Sequence, residues 1–147
     1  MKDIYQLVQE NEENLEDFMN WQVEHGPTNN FRYFAELNAK AQEVFKYAAV
    51  LYPEFILVEG NVVLSDHYTE DNWSKWREKL NPKDTANIVN HVHIEDYLSS
   101  DYQGVQKIED GLGDLLAFFW QLAVNHQYPN KKVLVEFNGD VINIINQ

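Results

Sequence analysis

The spacing of apolar residues predicts that the N-terminal third of the chain is helical. A stripe at helical spacing predicts a first helix from about Asp3 to His25, and the polar run NEEN in its middle favours a break into two pieces. A second helix is expected after an asparagine cap at Asn29 or Asn30. Its apolar face consists of Phe31, Phe34, Leu37, Ala41, Val44, Phe45 and Ala48.

In two later places the apolar pattern changes to that of β-strands. The run EFILVEGNVVLSD has two apolar, β-branched stretches around Gly60-Asn61, and glycine at the first central position predicts a type II′ turn. In KKVLVEFNGDVINIINQ, Asn138-Gly139 lies between alternating strands and is a strong hairpin signal. Because an isolated hairpin is marginal in water, the two hairpins are expected to join.

Three further helical segments are predicted between the hairpins. A short helix runs from about Glu70 to Leu80, and Asn81-Pro82 opens another, since asparagine caps a helix and proline suits its first position. A long helix spans about Tyr102 to Gln127 and is almost wholly apolar from Leu115 to Val124, which places it in the core. The glycines of GLGDL lack the spacing of a phosphate loop and mark places where another element packs closely.

The pattern as a whole predicts a single α+β domain over residues 1–147, in which a four-stranded antiparallel sheet made of two β-hairpins packs against several α-helices. Two segments share the order helix, Tyr-Pro, strand, turn, strand. Tyr52-Pro53 and Tyr128-Pro129 are their common points. They read as a short internal repeat of an α-β-β unit.

Charge is the strongest compositional signal. The 147 residues include 24 acidic and 11 basic ones, a formal net charge of −13, and an acidic helical segment at about 1–26 holds seven carboxylates and one lysine. Such a surface repels phosphate backbones and anionic lipids, so neither nucleic acid nor a membrane is a predicted partner. It would attract a basic protein, and the candidate partner-binding carboxylates are Glu10, Glu12, Glu13, Glu16 and Asp17. The alternative is that excess acid only keeps the protein soluble.

Several features favour a soluble protein of the cytoplasm. The chain has no cysteine, which excludes disulfides and thiolate zinc sites and fits a reducing compartment. Its N-terminal run MKDIYQLVQENEE lacks the apolar core of a signal peptide. The apolar run from Leu115 to Val124 is shorter than the roughly 20 residues that cross a bilayer.

The stretch NHVHIEDYL is the candidate for metal chemistry. If it is a strand, His91 and His93 lie on one face and can share a metal ion, with Glu95 or Asp96 as an oxygen donor. If it is helical, the two imidazoles point apart and cannot chelate. In the structural alternative, one imidazole is exposed and the other caps a helix or fills a gap.

Two tryptophans lie in the charged run TEDNWSKWREKL. Either Trp73 and Trp76 both pack inward, or one stays exposed as an anchor for a partner, since tryptophan is enriched where proteins bind.

The leading functional hypothesis is a protein-binding module without enzymatic activity or cofactor. Inhibitors and immunity proteins that neutralise a nuclease toxin belong to this class, because carboxylates in a groove meant for phosphates both steer association and block substrate. A rival hypothesis is a small metal-dependent enzyme or ligand-binding domain that uses His91 and His93. A third is a structural subunit that forms a homo-oligomer through a sheet edge or a helix face.

Overall fold

The protein is an α+β domain with antiparallel sheets. The computed structural model describes residues 3–28, 30–97 and 106–147, the side chains of 106–108 excepted. Within these ranges the helices are α1 (Ile4–Glu12), α2 (Glu16–His25), α3 (Phe31–Asn38), α4 (Ala41–Leu51), α5 (Glu70–Arg77), α6 (Pro82–Val89) and α7 (Gln106–Gln127). The strands are β1 (Phe55–Val58), β2 (Asn61–Leu64), β3 (His91–His93), β4 (Val133–Phe137) and β5 (Val141–Asn146).

Both predicted hairpins form, but the prediction that they join in one four-stranded sheet is wrong. The β1–β2 hairpin is a sheet of its own, and β4–β5 belongs to a three-stranded sheet in the order β3-β5-β4. The short strand β3 pairs with the first half of β5, with Val92 opposite Ile142. Both sheets pack against α7, and buried residues from each surround Trp120 in one core cluster. A smaller cluster around Trp73 lies between β2 and the helices α5 and α6.

Two buried asparagine side chains explain why β2 does not pair with β5 as a strand. The Val62 N–H donates to Asn146 Oδ1 (2.8 Å), and Asn146 Nδ2 donates back to the Val62 carbonyl (3.0 Å). Asn90 Oδ1 accepts from the Leu64 N–H (2.9 Å), while Asn90 Nδ2 donates to the carbonyls of Val62 (2.9 Å) and Ile144 (3.2 Å). Since buried backbone groups need partners, these amides satisfy the edge of β2 that a fourth strand pairing would have used.

The first hairpin turns one residue earlier than the sequence predicts. Its central residues are Glu59 and Gly60, both with positive φ (47° and 80°), which is the signature of a type I′ turn and not of the predicted type II′ turn. The Glu59 carboxylate accepts hydrogen bonds from Trp73 Nε1 and Arg77 Nε, each at 3.1 Å. These contacts offset the strain of the left-handed backbone at a non-glycine residue.

The helix boundaries follow local capping. Asn30, Thr69 and Asn81 each accept a backbone N–H of the first turn of their helix, as expected of N-cap residues. The break between α1 and α2 confirms the interpretation of NEEN, whereas the break at Ala39 and Lys40, where the backbone is extended, was not predicted. The predicted start of the long helix at Tyr102 lies outside the described residues.

The long helix α7 is the centre of the domain, as the apolar run predicted. Its buried residues are Gly113, Leu116, Ala117, Trp120, Ala123 and Val124. A Cβ on Gly113 would overlap the ring of Phe137, and one on Gly111 would lie 2.5 Å from Asn11 Oδ1. Both glycines are therefore points of close packing, as predicted. Among the described helices none has the length and apolarity needed to cross a bilayer.

The two α-β-β segments meet at their Tyr-Pro connections. The Phe55 N–H donates to Gln127 Oε1 (2.9 Å), and Gln127 Nε2 donates to the Pro53 carbonyl (2.8 Å). The Tyr128 hydroxyl donates to the Phe55 carbonyl (2.8 Å). Each helix is followed by its hairpin in the predicted order, and these bonds tie the start of β1 to the end of α7.

Asn90→Ala should destabilise the domain by about 2–4 kcal/mol, because it leaves the buried Leu64 N–H without an acceptor and removes two further bonds, at roughly 1–3 kcal/mol for each unsatisfied group. Urea unfolding measures the change. Asn38→Ala is the control, since Asn38 is exposed and its effect should stay within about 0.5 kcal/mol. Equal unfolding midpoints for the two variants would contradict the role given to Asn90.

The Glu59 contacts make one contribution to stability depend on pH. The hydrogen bond from Trp73, and then that from Arg77, lower the pKa of the Glu59 carboxyl below its usual value. A lowered pKa in the folded state stabilises the fold above the unfolded pKa, and this is lost as the pH falls through the folded value. Glu59→Gln should therefore be less stable than the native chain at neutral pH.

That difference should begin to shrink as the pH falls through about 4, where a glutamate of the unfolded chain takes up a proton, and should go on shrinking until the folded carboxyl, whose pKa is lower, is protonated too. Urea unfolding over an acid pH series measures it. The matched control is Glu54→Gln, which removes an exposed carboxylate next to β1. A gap between Glu59→Gln and the native chain that stays constant with pH would show that the charge of Glu59 is not what stabilises the turn.

Candidate functional site

The candidate site begins where α1 and α7 approach each other. Asn11 Nδ2 donates to the Leu7 carbonyl one turn earlier on α1 (2.8 Å), which holds the amide against the helix. The same amide fills the space that a Cβ on Gly111 would take. Close helix contact at this point brings together two parts of the chain that lie about a hundred residues apart.

An acidic cleft opens beside this contact. It has a volume of about 390 Å³ and is lined by Leu7, Glu10, Asn11, Glu13, Asp110, Gly111 and Asp114. Glu10 is in the last turn of α1, and Glu13 follows that helix directly. Asp110 and Asp114 are four residues apart and so lie on the same side of α7. Among the described residues, those that line the cleft carry four carboxylates and no lysine or arginine.

A second, apolar pocket adjoins the acidic cleft. It measures about 230 Å³, shares Leu7, Asn11 and Gly111 with the cleft, and is otherwise lined by Val8, Leu15, Phe31, Leu112 and Leu115. The surface between α1 and α7 therefore offers carboxylate oxygens and an apolar recess side by side. This arrangement can accept a cationic side chain together with an apolar one.

The other predicted carboxylates do not line this cleft. Glu12 faces a groove on the other side of α1, which it lines together with Tyr5 and Arg32. Glu16 and Asp17 are exposed in the first turn of α2, where negative charge is favoured by the helix dipole. Of the five predicted acidic residues, the structure thus brings two into one concave site.

Sequence reasoning missed Asp110 and Asp114. Their spacing on a predicted helix put them on one face, and the two glycines between them already indicated close neighbours. The identity of those neighbours was not visible, because nothing local to the sequence couples Gly111 to Asn11.

The two tryptophans separate as one of the sequence alternatives allowed. Trp73 is buried, with 4% of its surface exposed, and donates to Glu59. Trp76 is 37% exposed. A partner can therefore reach Trp76, while Trp73 belongs to the core cluster between β2 and the helices α5 and α6.

His91 and His93 share one face of β3. Their ring centroids are 5.0 Å apart, which settles the question the sequence left open in favour of a strand. His91 Nδ1 lies 3.1 Å from Asn143 Oδ1, and His93 Nδ1 lies 3.6 Å from Asp140 Oδ2. Each imidazole therefore has a polar neighbour from β5 or from the turn that precedes it.

Glu95, the predicted oxygen donor, is exposed in the 3-10 turn that follows β3. In the parts of the chain that the structure describes, no three histidine, aspartate or glutamate side chains come together as a set that could hold a metal ion. The metal hypothesis therefore rests on the two imidazoles, with the Asp140 carboxylate beside His93.

Comparisons of the chain with models of protein families, with curated proteins and with solved structures found no match in any of the three. The function proposed below is therefore inferred from the residues and geometry of the site.

Zinc, nickel or manganese titrated into the chain should give no saturable heat at micromolar protein. Two imidazoles leave at least half of a tetrahedral zinc shell to water, whereas protein zinc sites use three or four ligands. Isothermal titration calorimetry measures this. Saturable one-to-one binding that is lost in His93→Ala and kept in His67→Ala would establish the metal site instead.

Proposed function

We propose that the protein is a small binding module whose acidic cleft between α1 and α7 covers a basic surface of a partner protein, in the manner of an inhibitor or immunity protein. The observation that carries the proposal is the convergence of Glu10, Glu13, Asp110 and Asp114 on one cleft. Carboxylates held together in a concave site act on a cationic partner at short range, while scattered ones act only through net charge.

The distribution of charge along the chain supports the proposal. Residues 3–28 carry seven carboxylates and no lysine or arginine, so no lysine or arginine within α1 or α2 offsets their negative charge. Residues 30–97 carry eleven carboxylates and seven lysines or arginines. The N-terminal helices, of which α1 borders the cleft, thus have the greater excess of negative charge, and such an excess favours electrostatic steering of a cationic partner.

The neighbouring apolar pocket defines the chemistry of the partner more closely. Binding energy at interfaces is concentrated in a few anchors that fill pockets, with charges around them fixing orientation and association rate. A partner segment with one apolar side chain flanked by lysine or arginine fits the pocket lined by Phe31 and Leu112 and the carboxylates beside it. The proposed ligand is therefore a basic, amphipathic surface of a protein, and a cytoplasmic setting stays a prediction.

A metal-dependent enzyme or ligand-binding domain built on His91, His93 and Glu95 is the rival. The shared face of the two imidazoles supports it. Asp140 lies beside His93, but no three histidine, aspartate or glutamate side chains of the described residues form a set that could hold a metal ion. The cleft is therefore the better-supported site.

Two variants with four substitutions each test the cleft. The cleft variant Glu10→Gln, Glu13→Gln, Asp110→Asn, Asp114→Asn removes its four charges. The control variant Glu54→Gln, Asp71→Asn, Glu78→Gln, Glu136→Gln removes four exposed charges elsewhere, so both chains have the same net charge. Circular dichroism and urea unfolding establish that each variant is folded.

A lysine- and leucine-containing peptide is the defined probe, and fluorescence anisotropy measures its affinity. The cleft variant should bind about 30-fold more weakly than the native chain, at roughly 0.5 kcal/mol for each of four surface ion pairs. The control variant should change little, and native binding should weaken steeply with added salt. The same pair of variants then serves in affinity capture from the source cells. Equal losses in both variants would show that net charge and not the cleft governs binding, and would end the proposal.

A further inference from the structure

We infer that a second copy of this chain covers the apolar face of α4, so that the protein forms a symmetric dimer through this helix. The α4 face consists of Ala41, Val44, Phe45, Ala48 and Tyr52. The sequence predicted an apolar stripe here, but the fold does not bury it: Phe45 is 79% exposed and Val44 55%. From Ala41 to Val50 every residue of α4 except Glu43 is exposed.

Within the part of the chain that the structure describes, α4 is held at its C-terminal end. The Val50 carbonyl accepts a hydrogen bond from Trp120 Nε1 (2.9 Å), Leu51 packs against the main core, and the Tyr52 hydroxyl contacts the ring nitrogen Nδ1 of His126. None of these three contacts involves a residue of the first two turns of α4. A helix of 11 residues is shorter than the roughly 12–15 that persist alone in water, so a cover over its apolar stripe would stabilise it.

Charge identifies the occupant as another copy. With a net charge of −13, two copies repel each other wherever their acidic surfaces meet. The α4 face carries little net charge: its flank has the ion pair of Lys46 with Glu43 (2.9 Å), and residues 115–130 of the adjoining α7 and its connection include no aspartate, glutamate, lysine or arginine. A basic partner gains nothing at a neutral face, whereas a second acidic chain finds its least repulsive contact there.

The shape and size of the α4 face also suit helix pairing. Ala41, Phe45 and Ala48 follow the i, i+4, i+7 spacing at which one helix packs on another, and the two alanines let backbones approach to about 8–10 Å around each phenylalanine. At roughly 200 Å² for an aromatic side chain, Phe45 and Tyr52 (79% and 44% exposed) already expose on the order of 250 Å². Val44, the alanines and the neighbouring Leu122, which is 48% exposed one turn before His126, extend this patch. In the proposed dimer this patch is the apolar centre, and a polar rim has to supply the remainder of the roughly 800 Å² that each partner buries in an interface of standard size.

Sedimentation of the full chain tests the inference. The native protein should pass from its 17.3 kDa mass to twice that mass between low micromolar and near-millimolar concentration. Phe45→Ser should raise the dimer dissociation constant at least about tenfold. Tyr5→Ser is the matched control, because Tyr5 is also an aromatic residue on a helix and is 77% exposed. Both substitutions are at exposed sites, so circular dichroism should show unchanged folding.

Cysteine cross-linking gives an independent readout, since the chain has no cysteine of its own. Ala48→Cys should form a disulfide-linked dimer under mild oxidation, while Val23→Cys, at an 86% exposed position on α2, should not. Salt adds a further distinction: screening should strengthen the dimer, because it reduces repulsion between acidic copies, whereas it weakens binding at the acidic cleft. The cleft variant should leave the dimer intact, so the two proposals fail separately.

Three results would overturn the inference. They are a native chain that stays monomeric over the whole concentration range, a dimer that survives Phe45→Ser, and equal cross-linking at positions 48 and 23. A monomer whose Phe45→Ser variant loses a different captured protein would assign the α4 face to that protein and would likewise reject the second copy.

Discussion

The side-chain amides of Asn90 and Asn146 determine how the domain is assembled, because each supplies a donor and an acceptor to backbone groups that would otherwise be buried without partners. They hold β2 beside β5 while the hairpin remains a separate sheet. This placement lets both hairpins contribute to the core around α7 and leaves the other side of β2 to α5 and α6. The backbone of Asn146 is itself fixed by Asn87 Oδ1, which accepts its N–H at 2.9 Å, so the contact extends into α6.

Much of the local structure could be predicted because its causes are local. Asn138-Gly139 specifies the second hairpin through the positive φ of Gly139, and Asn81-Pro82 specifies the start of α6 through a cap and a fixed φ. The relation between the two sheets could not be predicted in this way. It depends on Asn90 and Asn146, whose partners on β2 are 26 to 84 residues away in the sequence. The local sequence around an asparagine does not indicate which distant backbone group its side chain will bond. The turn at Glu59 was misplaced for a similar reason, since Trp73 and Arg77 favour a left-handed residue there.

The candidate site, too, could be predicted only where its causes are local. The density of carboxylates in the first 26 residues pointed to Glu10 and Glu13, but Asp110 and Asp114 join them only because Gly111 allows α1 to approach α7. The apolar stripe of α4 shows another limit of prediction from the sequence. Helical periodicity indicates that a face will be covered, and it does not say whether the cover comes from the same chain. Hence one stripe predicted as core, that of α7, is buried, while that of α4 is exposed.

The order of β5 in the chain has a consequence for biosynthesis. This strand is the middle one of its sheet, yet β1, β2 and β3 all precede it by many residues. On the ribosome, the Val62 N–H finds its acceptor, Asn146 Oδ1, only after residue 146 has been synthesised and has left the exit tunnel. Until then this edge of the β1–β2 hairpin is incompletely covered, which favours aggregation, and closing contacts of such long sequence separation is slow. A nascent chain of this kind benefits from chaperones that shield the edge of the early hairpin until Asn146 arrives.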